Sequence, residues 1–245
     1  MRAIILAAGE GSRLRPLTKA VPKALLPVGG GPIIEKIIEL LIGSGLQEFV
    51  VVIGHLGEKI KYYLGDGSSR GIKINYLYQD ERLGSGDALS RAQNRVDGNF
   101  LVTACDTLFL REEITVMLSA FDPQKFDVLV GLREFSPKDI GRMSARSTVK
   151  VDKYGFVQQI IEKPEPGKEL SNTSAAPIFL FTPKIWPYLD SLEVSGNDKY
   201  ELASAIQNLI SDGLKVKGHL LSYSRDITYP EDILKENFPY LRPYL

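Results

Sequence analysis

The chain has 245 residues, 44% of them apolar and 24% charged, which is an ordinary globular composition. Its 30 basic and 30 acidic residues balance, which argues against a dedicated nucleic-acid binder, since such proteins carry a basic excess. The single cysteine, Cys105, rules out an internal disulfide, and no apolar run approaches the ~20 residues that cross a bilayer. No signal-peptide pattern follows Arg2, so the expected location is the cytoplasm, with neither a membrane nor a nucleic acid as partner.

Taken in chain order, Arg2–Leu6 is a short apolar run that predicts a strand, and Gly9–Val28 is a loop of glycine, proline and basic residues. Ile33–Leu46 sets Ile34, Ile37, Ile38, Leu41 and Ile42 at helical spacing and stops near Gly43 and Gly45. Phe49–Ile53 predicts a second buried strand, Glu58–Leu64 a short helix ended by Gly65 and Gly67, and Ile72–Tyr78 an alternating strand. Helix is expected at Gly86–Gln93 and strand at Phe100–Ala104. This alternation implies a mostly parallel sheet with helices on both faces. Ligands of such sheets lie at the carboxyl ends of the strands, so the loops after Leu6 and Ala104 are expected to share one crevice.

The second half is richer in strands. Asp127–Leu132, Val149–Val151, Phe156–Glu162, Ile178–Phe181 and Val216–Tyr223 are the candidates. Helices are expected at Pro183–Leu189, Tyr200–Ser211 and, with proline at its start, Pro230–Glu236. No repeat, low-complexity tract or linker interrupts the chain, so residues 1–245 are expected to form one domain.

The segment from Leu6 to Val28 carries the most chemistry. Ala7, Ala8, Gly9 and Gly11 let a ligand approach the backbone, and glycine allows the positive φ that turns successive N–H groups onto an anion. Arg13 can grip a phosphate through two parallel hydrogen bonds, while Lys23 acts as a mobile point charge. No Gly-Lys-Ser/Thr ends the loop and no third glycine opens a helix, so neither a Walker loop nor a dinucleotide fingerprint is present.

This segment resembles the signature of the sugar-phosphate nucleotidyltransferases, or sugar-nucleotide pyrophosphorylases. The pattern Leu-Ala-Ala-Gly-x-Gly-x-Arg-Leu-x-Pro-x-Thr, followed by Pro-Lys and Leu-x-Pro-Val, is matched at every position from Leu6 to Thr18 and from Pro22 to Val28. The resemblance implies an α/β fold of the Rossmann-like, three-layer αβα sandwich type with a mixed, mostly parallel central sheet. Its nucleotide-binding half would lie at about 1–125 and its acceptor-binding half at about 126–245. By the same resemblance Gly9, Gly11 and Arg13 hold the phosphates of an NTP, with Leu6 and Ala8 beside them, and Lys23 sits near the reacting centre.

Four further motifs follow in the family's order. Gln79 stands five residues before Gly84, as in the base-binding segment, with Ser85 next to it. A glutamine offers both a donor and an acceptor to the imide edge of uracil or thymine, so UTP or dTTP is the expected donor. Asp106 ends a strand where the family places an Mg²⁺-binding aspartate, with Cys105 in place of the usual glycine. Its blander reading is a cap for a helix starting at Leu110. Glu162-Lys163-Pro164 resembles the motif that binds sugar hydroxyls and the acceptor phosphate, and Asp226 matches the second metal ligand. Pro230, Glu231 and Asp232 also match but are expected only to start a helix, and Tyr200–Ile206 resembles a further family helix.

The acceptor side departs from the pattern. Arg146-Ser147-Thr148 replaces Tyr-Gly-Val, and Ala175-Ala176-Pro177 replaces Asn-Ala-Gly. The first change removes a glycine, while the second removes a polar contact and a backbone donor. The resemblance therefore implies an Mg²⁺-dependent transfer of a nucleoside monophosphate from an NTP to a sugar 1-phosphate, with a reshaped acceptor pocket and a possible homo-oligomer. Two readings stay open beside it. One is a cytidylyltransferase acting on a polyol phosphate or phosphocholine. The other is a non-catalytic sugar-nucleotide sensor, against which the joint retention of Arg13, Lys23, Asp106 and Asp226 argues. His55 and His219 are not spaced as a metal site and are read as structural.

Overall fold

The computed structural model describes residues 1–135, 146–194 and 199–241. Thirteen strands are present among them: β1 (Arg2–Ala7), β2 (Pro27–Val28), β3 (Gly31–Pro32), β4 (Glu48–Ile53), β5 (Lys73–Tyr78), β6 (Phe100–Ala104), β7 (Thr107–Phe109), β8 (Val128–Glu134), β9 (Ser147–Val151), β10 (Val157–Glu162), β11 (Thr173–Phe181), β12 (Val216–Leu220) and β13 (Ser224–Asp226). The helices are α1 (Ile33–Gly43), α2 (Gly57–Leu64), α3 (Ser85–Ser90), α4 (Arg111–Ala120), α5 (Trp186–Asp190), α6 (Leu202–Ser211) and α7 (Pro230–Leu241).

Nine of the strands form one mixed sheet in the order β10-β9-β11-β6-β1-β4-β5, with β8 also pairing to β11 and β12 to β8. Pairing is parallel where β1 meets β4 and β6 and where β4 meets β5, so each N-terminal crossover returns through a helix. It turns antiparallel at β11, which pairs with both β6 and β8. Strand β11 thus joins the two halves of the chain into one sheet.

Alternation along the strands divides the core into two layers. Ala3 and Ile5 of β1 face the helices α1 and α4, together with Phe49, Val51, Ile37, Leu41 and Met117. Ile4, Val50, Val52 and Val102 face the opposite layer, where Phe100 stacks on Trp186 at 4.7 Å and Leu202, Ile206 and Leu209 of α6 pack. The expected layered sandwich is therefore present. Among the described residues no helix is long and apolar enough to cross a membrane.

Several boundaries differ from the sequence reading for identifiable reasons. Helix α1 stops at Gly43 because Gly45, at φ 91°, closes a Schellman turn in which the Leu46 N–H bonds Leu41 O at 3.0 Å and the Gly45 N–H bonds Ile42 O at 2.9 Å. The loop Gly9–Val28 contains three short 3₁₀ turns, at Ser12–Leu14, Leu17–Lys19 and Lys23–Leu25. The expected strand Val216–Tyr223 breaks after Leu220, and its continuation β13 leaves the main sheet to pair with β7. Strand β11 begins earlier than its apolar run suggests, at Thr173, and carries an irregularity between Ala175 and Phe179 where Pro177 has no N–H to give.

Candidate active site

The loops after β1 and β6 do converge. The phosphate loop is held by its own residues. Gly11 lies at φ 67°, and a Cβ built there would sit 2.9 Å from Thr18 Cγ2 and 3.1 Å from Lys23 Cβ. Thr18 Oγ1 donates to the Gly11 carbonyl at 2.8 Å, so the first turns of the loop are tied together. Gly9 is exposed, with nothing within 4 Å of where its Cβ would stand. Arg13 is exposed too and takes part in none of the ion pairs among the described residues, so its five donors point to solvent. At the far end of the loop, Asn237 of α7 accepts from the Gly29 N–H at 3.0 Å and donates to Pro27 O at 3.0 Å.

Lys23 reaches across to the end of β6, where its Nζ meets Asp106 Oδ2 at 2.5 Å. Burial works against the Lys23 ammonium, but Asp106 outweighs it and the lysine pKa rises above its ordinary value. Asp106 does not cap a helix: α4 begins after Leu110, with β7 in between. That short strand explains the break at the end of β12. Strand β13 is drawn off to pair with β7, and its register sets Asp226 opposite Thr107. Thr107 Oγ1 then donates to Asp226 Oδ1 at 2.9 Å and lies 3.4 Å from Asp106 Oδ1. The two carboxylates expected to act together are thus bridged by one hydroxyl, although 119 residues separate Thr107 from Asp226. Asp226 also carries Arg133 at 2.8 Å and Arg146 as ion partners. Burial would raise its pKa, and the two guanidiniums hold it below the usual aspartate value.

Asp106 and Asp226 line a cavity of about 280 Å³ with Leu6, Ser85, Glu162 and the residues that depart from the family pattern, Arg146, Ser147, Ala175 and Pro177. Arg13, Lys23, Gln79, Gly84 and Lys163 are not among its lining residues. Gln79 is buried, and its Nε2 donates to Gly84 O at 2.9 Å and Asp87 Oδ2 at 2.7 Å. Both of these are acceptors, which fixes the amide orientation and leaves Oε1 for a ligand.

The segment expected to bind the base and the one expected to bind the acceptor are joined by contacts between distant residues. Gly84 sits at φ 111°, where a Cβ would be 2.5 Å from the Tyr200 carbonyl, and the Gly86 N–H bonds that carbonyl at 2.8 Å. Ser85 Oγ accepts from the Leu202 N–H at 3.0 Å and donates to Glu201 Oε2 at 3.2 Å. The other oxygen of Glu201 receives Lys163 Nζ at 3.1 Å, and Lys163 also meets Glu162 at 3.2 Å. Lys163 adopts a left-handed φ of 45°, a conformation uncommon for a side-chain-bearing residue and found disproportionately at functional sites. Burial lowers and the two glutamates raise the Lys163 pKa, with a net rise, while burial lifts that of Glu162.

Sequence reasoning did not single out Glu201, Thr107 or Arg133 as site residues. Glu201 lies in a helix start whose likeness to the family was visible, but its link to Ser85 and Lys163 is a matter of packing. Of the remaining groups, Cys105 is buried with its thiol pushed up to about 12 by burial, so it is a packed residue and no nucleophile. His219 Nε2 lies 3.4 Å from Glu113, away from the cavity, and His55 is exposed. Asp232 starts α7 by accepting the Thr228 and Tyr229 N–H groups at 2.9 and 2.8 Å.

The chain matches the family described as nucleotidyl transferase over residues 2–241. It is 34% identical over 241 residues to the low-salt glycan biosynthesis nucleotidyltransferase Agl11 of Haloferax volcanii, covering 97% of this chain and 65% of that protein. It is 31% identical to the UTP–glucose-1-phosphate uridylyltransferase AglF of the same organism, covering 95% and 93%. A crystal structure of a UDP-glucose pyrophosphorylase complexed with UDP-glucose superposes with a TM-score of 0.87 at 18% identity, covering 99% of this chain and 98% of that one. At that identity the likeness speaks for the fold.

Proposed function

We propose that this chain, which belongs to the nucleotidyl transferase family, transfers a nucleoside monophosphate from UTP or dTTP to a sugar 1-phosphate and releases pyrophosphate. The observation that carries the reading is the junction of Lys23, Asp106, Thr107 and Asp226. It sets a phosphate-loop lysine and two bridged carboxylates at the mouth of a pocket large enough for a hexose-sized acceptor.

The acceptor phosphate is already anionic near neutral pH, so no general base is required for its oxygen to attack the α-phosphorus in line. Catalysis then rests on positioning and charge neutralisation. Arg13, free of partners among the described residues, takes the departing pyrophosphate, with Gly9 and Gly11 giving it room. Lys23 offsets charge on the transferred phosphoryl group. Lys163 holds the acceptor phosphate, kept in place by Glu201, and Glu162 accepts from sugar hydroxyls. Two carboxylates sharing one hydroxyl suit Mg²⁺, which is commonly bound by one or two carboxylates with substrate phosphates and water. Asp106 and Asp226 would hold it, and it would neutralise charge shared by the two substrates.

Gln79 is read as the contact to a uracil or thymine base. Its Nε2 is taken by Gly84 O and Asp87 Oδ2, so of the donor and acceptor expected only Oε1 is left, to accept the imide N3–H. The same oxygen would also accept from the cytosine N4 amino group, and the NTP panel decides between them. The reading treats residues 1–245 as one domain working in the cytoplasm, in keeping with a sheet shared by both halves and an unpaired cysteine. The test is pyrophosphate release from five NTPs against sugar 1-phosphates, polyol phosphates and phosphocholine, with and without Mg²⁺. Mg²⁺-dependent release with UTP or dTTP and a sugar 1-phosphate is expected. Release only with CTP and a non-sugar phosphate would transfer the assignment to a cytidylyltransferase, and no release with any pair would leave a sensor.

A further inference from the structure

The reaction above requires one phosphate on the acceptor, and Lys163 is assigned to it. The pocket contains two further cations with no such assignment. Arg133, near the end of β8, and Arg146, immediately before β9, both line the cavity next to Ser147 and Glu162. Their side chains are only 11% and 25% exposed. Both lean on the same carboxylate, Asp226. Two guanidiniums offer ten N–H donors, and among the described residues Asp226 is the one carboxylate in direct contact with them, with Asp106 and Glu162 elsewhere in the same lining. Arg133 Nε is buried and has no hydrogen-bond acceptor among the described residues. The Arg146 guanidinium lies over the Phe135 ring, its carbon 5.4 Å from the centroid, so an aromatic face and not solvent covers one side.

A buried guanidinium donor without an acceptor is costly, and an oxyanion is the ligand group that completes it best. Elsewhere in the lining Ser85, Thr107, Ser147 and Thr228 carry neutral hydroxyls. Ala175, Pro177, Ile160, Phe179 and Ala203 surround the same space, and none offers a side-chain polar group. Arg146 and Pro177 also stand where the sequence departs from the pattern it otherwise follows.

We propose that Arg133 and Arg146 receive a second oxyanion of the acceptor, a carboxylate or a second phosphate, so that the acceptor is an acidic sugar 1-phosphate and not a neutral one. The inference rests on the transferase reading for the identity of the first phosphate. Planar guanidiniums grip a carboxylate or phosphate with two parallel hydrogen bonds, and the fork geometry discriminates where a lysine would not.

The experiment is calorimetric binding of glucose 1-phosphate, glucuronic acid 1-phosphate and glucose 1,6-bisphosphate to the intact chain, with and without a non-hydrolysable UTP or dTTP analogue. At least one acidic ligand is expected to bind tenfold or more tightly than glucose 1-phosphate. Arg146→Met and Arg133→Met should each erase most of that advantage while changing glucose 1-phosphate affinity less than threefold. A gain confined to the uronate identifies a carboxylate, and one confined to the bisphosphate identifies a second phosphate. Should the methionine variants fail to fold, Arg146→Lys keeps the charge, loses the fork, and is expected to lose most of the preference. Equal affinity for all three ligands, binding of none, or a preference that survives the arginine substitutions would overturn the proposal. Because the readout is binding, acid-selective binding without pyrophosphate release from any NTP would instead defeat the transferase reading and leave the anion site standing.

Discussion

The two sides of the cleft hold their charges by different means. On the side of the glycine-rich loop the backbone is fixed locally, Thr18 donating to the Gly11 carbonyl, and Lys23 reaches out of it to Asp106. On the acceptor side Lys163 is aimed by Glu201, 38 residues away, which is itself tied to Ser85, 116 residues away. A self-fixing loop can be written as a motif, whereas a pocket assembled from distant segments depends on the whole sheet being in register. The first can be recognised in a sequence and the second has to be seen.

Four substitutions test that contrast. The largest effect is expected at Asp106→Ala, which should lower turnover by about 10³-fold or more through loss of charge neutralisation at the reacting centre. Its thermal midpoint should fall as well, because the largely buried Lys23 ammonium loses its ion partner. Near-normal pyrophosphate release would show that the donor side does not carry the chemistry.

Asp226→Asn comes next. It leaves two largely buried guanidiniums without their counter-ion, and a loss of about 3 kcal/mol is expected in urea titrations. The pH dependence has a definite sign. Asp226 is held below the ordinary 3.8, so its contribution is complete above that value and fades as pH falls through the lower folded value. The gap between wild type and Asp226→Asn should therefore stay level above about pH 5 and narrow only in acid. A gap that widens in acid would reverse the assignment of the carboxylate.

Glu201→Gln probes the non-local side alone. Weakening a charge-assisted contact to Lys163 should reduce kcat/KM for the acceptor about tenfold while leaving the KM of the NTP unchanged. A rise in both would mean that the two sides are not separately held. The smallest effect is expected at Gly11→Ala, about 1 kcal/mol of stability from a positive φ and a crowded Cβ, with the penalty in activity read as a higher KM for the NTP. If the acceptor KM rises instead, the loop is not the local device described.

Most of the fold was legible. The apolar run of β1, the helical spacing of α1 and the strand β6 each report burial through composition, and the structure puts all three where that pattern implies. The phosphate loop was legible because glycine, threonine and lysine act there on near neighbours. What could not be read was pairing between distant segments. Nothing local says that Ser224–Asp226 leaves the main sheet for Thr107–Phe109, yet that exchange brings Asp226 to Asp106. Arg133 ends an apolar strand as many surface arginines do, and only the approach of Asp226 makes it a buried ion partner. The departures at Arg146, Ser147, Ala175 and Pro177 were visible as departures, and the cavity lining shows that they share one wall.

Cys105, set between β6 and Asp106, has one more consequence. It is the sole thiol of the chain, buried, with its N–H bonded to Leu6 O at 3.1 Å and its pKa pushed up to about 12. Burial screens it from alkylating reagents and keeps it protonated, so labelling has to wait for a local opening of the floor formed by the end of β6. A single-site alkylation rate thereby becomes a clock for that opening. Slowing of the clock by an NTP or an acceptor would measure how firmly each one closes the floor, with no turnover required.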